Sequence, residues 1–482
     1  MSTLKEKTAK GLSWGFIDSL SNTGITAIIS IILARILSPE EFGLIGMIAI
    51  FIALGNSLMD SGFSGALIRK ESVDDKDLST VFYTNLVLSI LIYTFLYFTA
   101  PSIARFLNTE VLCELIRVLG LSVIIVSFTQ VQKVNFTRKI DFKTQAIISF
   151  IAAIASGVTS IWMALSGYGV WSLVAQQLSR QTTISVLLWI FSSWKPSLTF
   201  SMASFREMFA FGSKLLACSL ISVIWSEIYS FVIGKMYNPI FVGYYTRAEK
   251  FKSLVTSNIG QVVQRVGYPI MSSLQNEPER QVRVFRRVMR LTILLAGSLV
   301  MGLIGCADAM IEVLIGAKWL PAAEYLRIVG LSGLFLPLIL VSVNIFNANG
   351  NSDKTLILEI IKIALAAIPV ALGIFFDIKM LLWGMVAVTF ATYLIHAAFI
   401  AKEIDYPVWM QLKDILPFIA SAFAMSLGVY AIGLINLAPL PLLAIQVISG
   451  FLMLLFIYEV IYKAEEYTDI KGVLLKVLRL KR

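Results

Sequence analysis

The chain has 482 residues, 57% of them hydrophobic and 15% charged, with a formal net charge of +10. At a mean hydropathy of +0.81 it carries more apolar surface than a water-soluble fold can bury, so lipid must be the solvent for most of it. Three isolated cysteines, Cys113, Cys218 and Cys306, and a single histidine, His396, support neither a disulfide framework nor a metal centre, and no cofactor is expected.

A bilayer core of ~30 Å needs ~20 mainly apolar residues per helix. Runs of that kind recur along the chain between short charged or Gly/Pro-containing breaks, and they predict an all-α integral membrane protein of about fourteen transmembrane helices. The spans fall near residues 12–36, 42–68, 79–99, 114–133, 143–166, 169–191, 205–234, 243–272, 284–307, 323–347, 354–376, 380–401, 413–435 and 441–462. Barrel strands would alternate apolar and polar residues, whereas Thr355 to Phe376 is apolar on nearly every side. At the amino terminus, Trp14, Asp18 and Asn22 follow a charged segment that has no small-residue cleavage site, which reads as a retained first helix.

Lys and Arg are retained on the cytoplasmic side of a bilayer. Alternate segments hold Lys5, Lys7, Lys10, Arg69, Lys70, Lys76, Lys133, Arg138, Lys139, Lys143, Lys195, Arg206, Arg280, Arg283, Arg286, Arg287, Arg290, Lys354, Lys402, Lys413 and the basic tail, against Arg35, Arg105, Lys235, Lys318 and Lys379 in the others. Both termini are therefore expected in the cytoplasm. The net charge reflects this bias and contact with membrane lipid headgroups, and its dispersal over short loops argues against nucleic acid. The stretch from Glu466 to Arg482 mixes Leu and Val with cations and is expected to lie along the membrane surface.

The chain also repeats itself. Ala34–Leu44 (ARILSPEEFGL) aligns with Gly234–Tyr244 (GKMYNPIFVGY), pairing Pro39 with Pro239 and Gly43 with Gly243, and Glu114–Ser122 (ELIRVLGLS) aligns with Glu324–Ser332 (EYLRIVGLS). Each copy holds an even number of helices, so the copies share one topology as parallel halves about a central cavity. The expected organisation is an N-lobe of helices 1–6 over 1–200, a C-lobe of helices 7–12 over 201–404, helices 13–14 over 405–465, and a basic amphipathic cytoplasmic tail over 466–482.

Helices one and two of each half are wetter than the rest, and lipid-facing polar groups are costly, so these four are expected to line the cavity. In span eight, Arg247, Lys250, Ser257, Asn258, Gln261, Gln264 and Arg265 recur at helical spacing on one side. Arg247 to Arg265 covers roughly 27 Å of helix, close to the hydrocarbon thickness. Arg180 lies midway along span six, where snorkelling to a headgroup is difficult. Its alternatives are a cavity-facing role or a buried pair with Asp18 or Asp60. Lys214, Asp18, Asp60 and Glu227 are candidates for binding substrate, for H⁺ or Na⁺ coupling, or for gating pairs. Glu359 and Lys362 read as i, i+3 partners, and His396 as a satisfied interhelical histidine.

The segments KTAKGLSWG (Lys7–Gly15), ARILSPEEFGL, SGFSGALIRKE (Ser61–Glu71), VNFTRKIDF (Val134–Phe142) and GAKWLPAAEYLRIVGL (Gly316–Leu331) resemble the polysaccharide-exporter branch of the MOP flippase superfamily, the Wzx-type lipopolysaccharide and colanic-acid exporters. The resemblance covers nearly the whole chain. It implies a MOP/MATE-like fold in the bacterial inner membrane and a flippase, not an enzyme, that turns an undecaprenyl-diphosphate-linked oligosaccharide outward alongside polysaccharide assembly machinery. A basic lining suits that cargo, because Arg and Lys neutralise a diphosphate through charge-assisted hydrogen bonds while Ser, Asn and Gln serve the sugars. The expected binding residues are Arg180, Lys214, Arg247, Lys250, Arg265, Asn258 and Gln261. A MATE-like cation-coupled drug antiporter would favour acidic and aromatic cavity groups, and an oligosaccharide polymerase or ligase would need a large external loop.

Overall fold

A computed structural model describes residues 22–461 and Tyr467. Asp18 and nearly all of the expected amphipathic tail lie outside the described residues. Among the described residues every regular element is helical, and eleven helices are long and apolar enough to cross a membrane. Wherever their residues are described, the expected spans fall on a helix or a helix pair, the first of them on Asn22–Ile36 alone. Two that are not among the eleven, Trp171–Phe191 and Pro239–Ser273, carry the polar residues singled out from the sequence.

Packing divides the chain into two compact units, Met1–Gly243 and Tyr244–Arg482. The first contains α1 (Asn22–Ile36), α2 (Pro39–Asp60), α3 (Phe63–Arg69), α4 (Asp75–Phe106), α5 (Leu112–Arg138), α6 (Phe142–Leu165), α7 (Trp171–Phe191) and α8 (Met202–Met236). The sequence explains where α2 begins. Ser38 caps it, Pro39 takes the first turn where its missing N–H costs nothing, and Glu41 reaches back to the Ser38 backbone N–H at 2.6 Å. Its expected continuation to residue 68 is broken by Ser61 (φ 46°) and Gly62 (φ 74°), which turn the chain into the short α3.

That turn rests against α8. A Cβ on Gly62 would come within 2.2 Å of the Gly212 carbonyl oxygen, so the two backbones meet where neither residue has a side chain. From there α2 and α8 run antiparallel. Ser57 Oγ meets Ser219 Oγ at 3.1 Å, the rings of Phe51 and Phe231 are 5.7 Å apart, and Met47 packs over Gly234. The repeated motif closes this interface, since a Cβ on Gly43 would lie 1.7 Å from the Pro239 carbonyl oxygen and one on Gly243 would lie 2.0 Å from that of Pro39. The matched prolines and glycines are thus a reciprocal contact, and Asn238, standing where Ser38 stands, accepts from the Phe241 N–H at 3.2 Å.

The second unit contains most of α9 (Pro239–Ser273), then α10 (Pro278–Gly305), α11 (Ala307–Ile315), α12 (Pro321–Ser332), α13 (Leu336–Ala348), α14 (Ser352–Leu365), α15 (Ala367–Phe375), α16 (Ile378–Glu403), α17 (Val408–Ile432) and α18 (Pro439–Phe456). The other repeated motif does the same work in both units. Gly120 admits Tyr93 of α4 at 3.1 Å, and Gly330 admits Ile304 of α10 at 2.9 Å from where a Cβ would stand. The last two helices are tied in by charge as well as by packing. Buried Asp414 of α17 accepts from Arg286 at 2.7 Å and Arg290 at 2.5 Å on α10, and from the Tyr406 hydroxyl. Burial and that hydrogen bond push the Tyr406 phenol above its ordinary range.

Candidate substrate-binding surface

Arg180 is half-buried on α7 within the first unit. Its guanidinium donates to Asn22 Oδ1 at 2.8 Å and Thr26 Oγ1 at 3.2 Å, both on α1. Asp60 is engaged elsewhere. It ends α2 at the Ser61–Gly62 turn, where the Ser64 hydroxyl donates to it, so it is a turn-forming carboxylate and not the mid-helix acid expected. Glu227 is half-buried on α8 with the Ser226 hydroxyl 3.5 Å away, and Lys214 is exposed on the same helix without a hydrogen-bond or ion-pair partner among the described residues. Ser57 and Ser219 bond each other, so part of the polarity of α2 and α8 joins the two helices instead of facing an aqueous space.

The stripe on α9 is one-sided, as its spacing predicts. Ala248, Phe251, Ile259 and Val263 are buried, while Lys250, Ser257, Asn258, Gln261, Gln264 and Arg265 are all exposed. Arg247 is half-buried near the start of the helix. The Asn258 amide turns to its own helix, donating to the Leu254 carbonyl at 2.5 Å, whereas Arg265 has no protein partner among the described residues. The buried side is held by Lys252, which pairs with Glu249 at 2.7 Å and donates to Ser332 at 3.2 Å, and by Asn344, which donates to the Val263 carbonyl at 3.2 Å. Because α9 runs unbroken from Pro239 to Ser273, this face presents cations and amides over a length comparable to the hydrocarbon core.

Residues 32–324, more than half of the chain, match the family model described as polysaccharide biosynthesis protein. The chain belongs to that family. Similar proteins include the teichuronic acid biosynthesis protein TuaB of Bacillus subtilis, 24% identical over 73% of this chain and 74% of TuaB. The lipopolysaccharide biosynthesis protein WzxC of Escherichia coli is 23% identical over 68% of each chain. The fold is similar to that of the lipid II flippase MurJ in an inward closed conformation, with a TM-score of 0.77 and 16% identity over 94% of this chain and 99% of MurJ. The resemblance drawn from the loop motifs therefore holds. This polysaccharide biosynthesis family member is a multi-pass membrane protein with a fold like that of MurJ.

Several charges in the protein are structural. Glu359 and Lys362 pair as their spacing predicts. Glu403 of α16 accepts from Asn349 at 2.9 Å, Asn351 at 2.6 Å and Lys354, tying the connection between α13 and α14 to α16. Arg138 donates to the carbonyls of Leu67, Lys70 and Glu71, collecting acceptors that the end of α3 leaves open. His396 differs from expectation. It is buried 6.3 Å from the Phe346 ring, and its Nδ1 finds no hydrogen-bond partner among the described residues.

Sequence reasoning missed Lys252 and Lys133. Lys252 follows two residues after Lys250 on the opposite side of α9, a difference that helical spacing does reveal. Lys133, counted as a loop cation, lies inside α5, which continues to Arg138.

Proposed function

We propose that the protein is a flippase of the bacterial inner membrane that carries an undecaprenyl-diphosphate-linked oligosaccharide, an O-antigen, capsule or exopolysaccharide unit, from the cytoplasmic to the outer face. The observation that carries this reading is the exposed face of α9, where Lys250 and Arg265 accompany Ser257, Gln261 and Gln264 along a membrane-length helix. Cations suit a diphosphate and amides and hydroxyls suit sugars, and an intramembrane polar face of this kind needs a polar cargo or water to be stable. The relatives support the cargo class: WzxC is named for lipopolysaccharide biosynthesis, TuaB for teichuronic acid biosynthesis, and MurJ for flipping lipid II.

In this reading, repeat-related lobes over 1–200 and 201–404 alternate access, with the helices of 405–465 appended and both termini cytoplasmic. Arg180, Lys214, Arg247, Lys250 and Arg265 meet the diphosphate, and Asn258 and Gln261 meet sugar. Asp18, Asp60 or Glu227 couples H⁺ or Na⁺ entry to reloading, and the assembly machinery takes the delivered unit. Complementation of a strain lacking its exporter, with the accumulated lipid-linked intermediate identified, tests the function. Arg180→Ala should abolish export while the protein remains inserted and abundant, and Arg180→Lys should rescue in part because only a guanidinium grips phosphate through a planar fork. Normal export by Arg180→Ala removes that residue from the site. Transfer in vesicles that continues after proton and sodium gradients are both collapsed removes the coupling.

A further inference from the structure

The repeated motif, Glu114–Ser122 and Glu324–Ser332, places a glutamate and an arginine one helical turn apart in each unit, and the two copies meet different surroundings. In the second unit the protein answers both charges. Glu324 pairs with the Lys379 ammonium at 2.7 Å, and Arg327 pairs with the Asp308 carboxylate while its guanidinium lies over the Tyr430 ring at 5.3 Å. At the offset that sets Glu114 against Glu324, Gly169 stands where Lys379 stands and Phe98 stands where Asp308 stands. Neither carries a charge.

In the first unit the same pair is therefore open. Arg117 of α5 lies over the Tyr97 ring of α4 at 4.4 Å, and its Nε donates to the Tyr97 carbonyl at 3.4 Å. That carbonyl is available because Pro101, four residues on in α4, has no N–H to give it. Ring and carbonyl hold the guanidinium by its face and its Nε–H, and its two terminal nitrogens have no acceptor among the described residues. Glu114 is exposed, with no hydrogen bond or ion pair among them. In the proposed topology both chain ends lie on the other side of the membrane, and Asn22, where the described chain begins, is about 21 Å of helix from the Ile36 end on this side.

The surroundings of the pair belong to lipid. Arg117 is about 8 Å of helix beyond Leu112, the start of α5, at the depth where headgroups meet hydrocarbon, and Glu114 is one turn nearer the aqueous side. Leu121, one turn deeper on the same face, is exposed, as is Phe98, whose ring meets that of Tyr97 at 5.7 Å. Exposed apolar groups beside an aromatic at headgroup level face acyl chains and not an aqueous cavity.

We propose that Glu114 and Arg117 hold the headgroup of a zwitterionic aminophospholipid, phosphatidylethanolamine, at the lipid-facing seam of α4 and α5. The phosphate takes the terminal nitrogens of Arg117, as the Asp308 carboxylate takes Nη2 of Arg327. The primary ammonium takes Glu114, as Lys379 takes Glu324. An ethylene unit joins the two lipid groups, a spacing that suits charges one helical turn apart, and the ammonium lies on the aqueous side of the phosphate as Glu114 does of Arg117. An anionic lipid without an amine answers Arg117 alone and is repelled by Glu114. The lipid thus supplies to the first unit the two counter-charges that side chains supply to the second.

The test titrates delipidated full-length protein in detergent with phosphatidylethanolamine and phosphatidylglycerol of identical acyl chains, counting bound lipid by native mass spectrometry. The first phosphatidylethanolamine should bind about tenfold more tightly than the first phosphatidylglycerol, the size of one charge-assisted contact. Glu114→Gln should abolish that preference, and because Glu114 is exposed this variant probes the headgroup without disturbing the packing. Arg117→Gln should weaken the binding of both lipids. Glu324→Gln, the equivalent change in the second unit, should leave the preference intact. Equal affinity of the unaltered protein for the two lipids, or a preference that survives Glu114→Gln, would overturn the proposal. So would a preference that Glu324→Gln removes as completely as Glu114→Gln does, since the selective glutamate would then not be the one in the first unit.

Discussion

At the scale of single residues, the charged groups of this protein sort by what surrounds them. Asp414 is buried, the Glu403 side chain is nearly covered, and both are multiply bonded, whereas Lys214 and Arg265 are exposed and without a hydrogen-bond or ion-pair partner among the described residues. Composition treats these groups alike, and spacing along one helix cannot reveal which carboxylate a distant helix supplies. Arg286 and Asp414 are separated by 128 positions in the chain. Asp414→Ala should leave Arg286, Arg290 and the Tyr406 hydroxyl without their common acceptor, at a cost on the order of 3 kcal/mol. Reduced membrane abundance and a lower melting temperature would register this, with Asp414→Asn in between. A variant as stable as the parent would show that the network adds nothing.

At the scale of elements, glycine decides how closely the helices approach. Gly43→Ala would ordinarily favour a helix by about 1 kcal/mol, but here its Cβ would overlap the Pro239 carbonyl oxygen. Overpacking of that kind costs about 1–3 kcal/mol, so the contact outweighs the propensity and the variant should be less stable. Gly24 provides the control, since a Cβ there meets nothing within 4 Å, and Gly24→Ala should be neutral or mildly stabilising. Thermal unfolding of both variants in detergent checks the pair, and equal responses would mean that the contact is not close-packed in solution. The sequence repeat marked Gly43 and Gly243 as equivalent, yet equivalence alone did not reveal that the two copies touch. The break at Ser61–Gly62 was also hidden, because the apolar run continues through it.

At the scale of the whole molecule, the repeat and the packing answer different questions. The repeat places the start of its second copy near residue 201, while packing keeps α8 with the first unit through its long contact with α2, and that unit ends at Gly243. The repeat is a pattern of matching residues along the chain, and the units record which helices bury each other. If both termini lie in the cytoplasm, a cysteine placed at Arg283, beside the start of α10, should react with a membrane-impermeant thiol reagent only after the membrane is opened. Labelling of intact cells at that position would reverse the orientation.

The amino-acid sequence by itself determined that the chain lives in lipid, where its helices run, which side of α9 is polar, and which family its loops resemble. Those properties follow from the local period of an α-helix and from the cost of polar groups in hydrocarbon, both legible within a few turns of chain. Only the tertiary structure decided which polar groups are already satisfied. It paired Ser57 with Ser219, gathered two arginines onto Asp414, and returned Asp60 to its own turn. Each of these depends on a partner from another helix or on an unforeseen turn, and burial makes a bonded charge structural and an unbonded one available to a ligand.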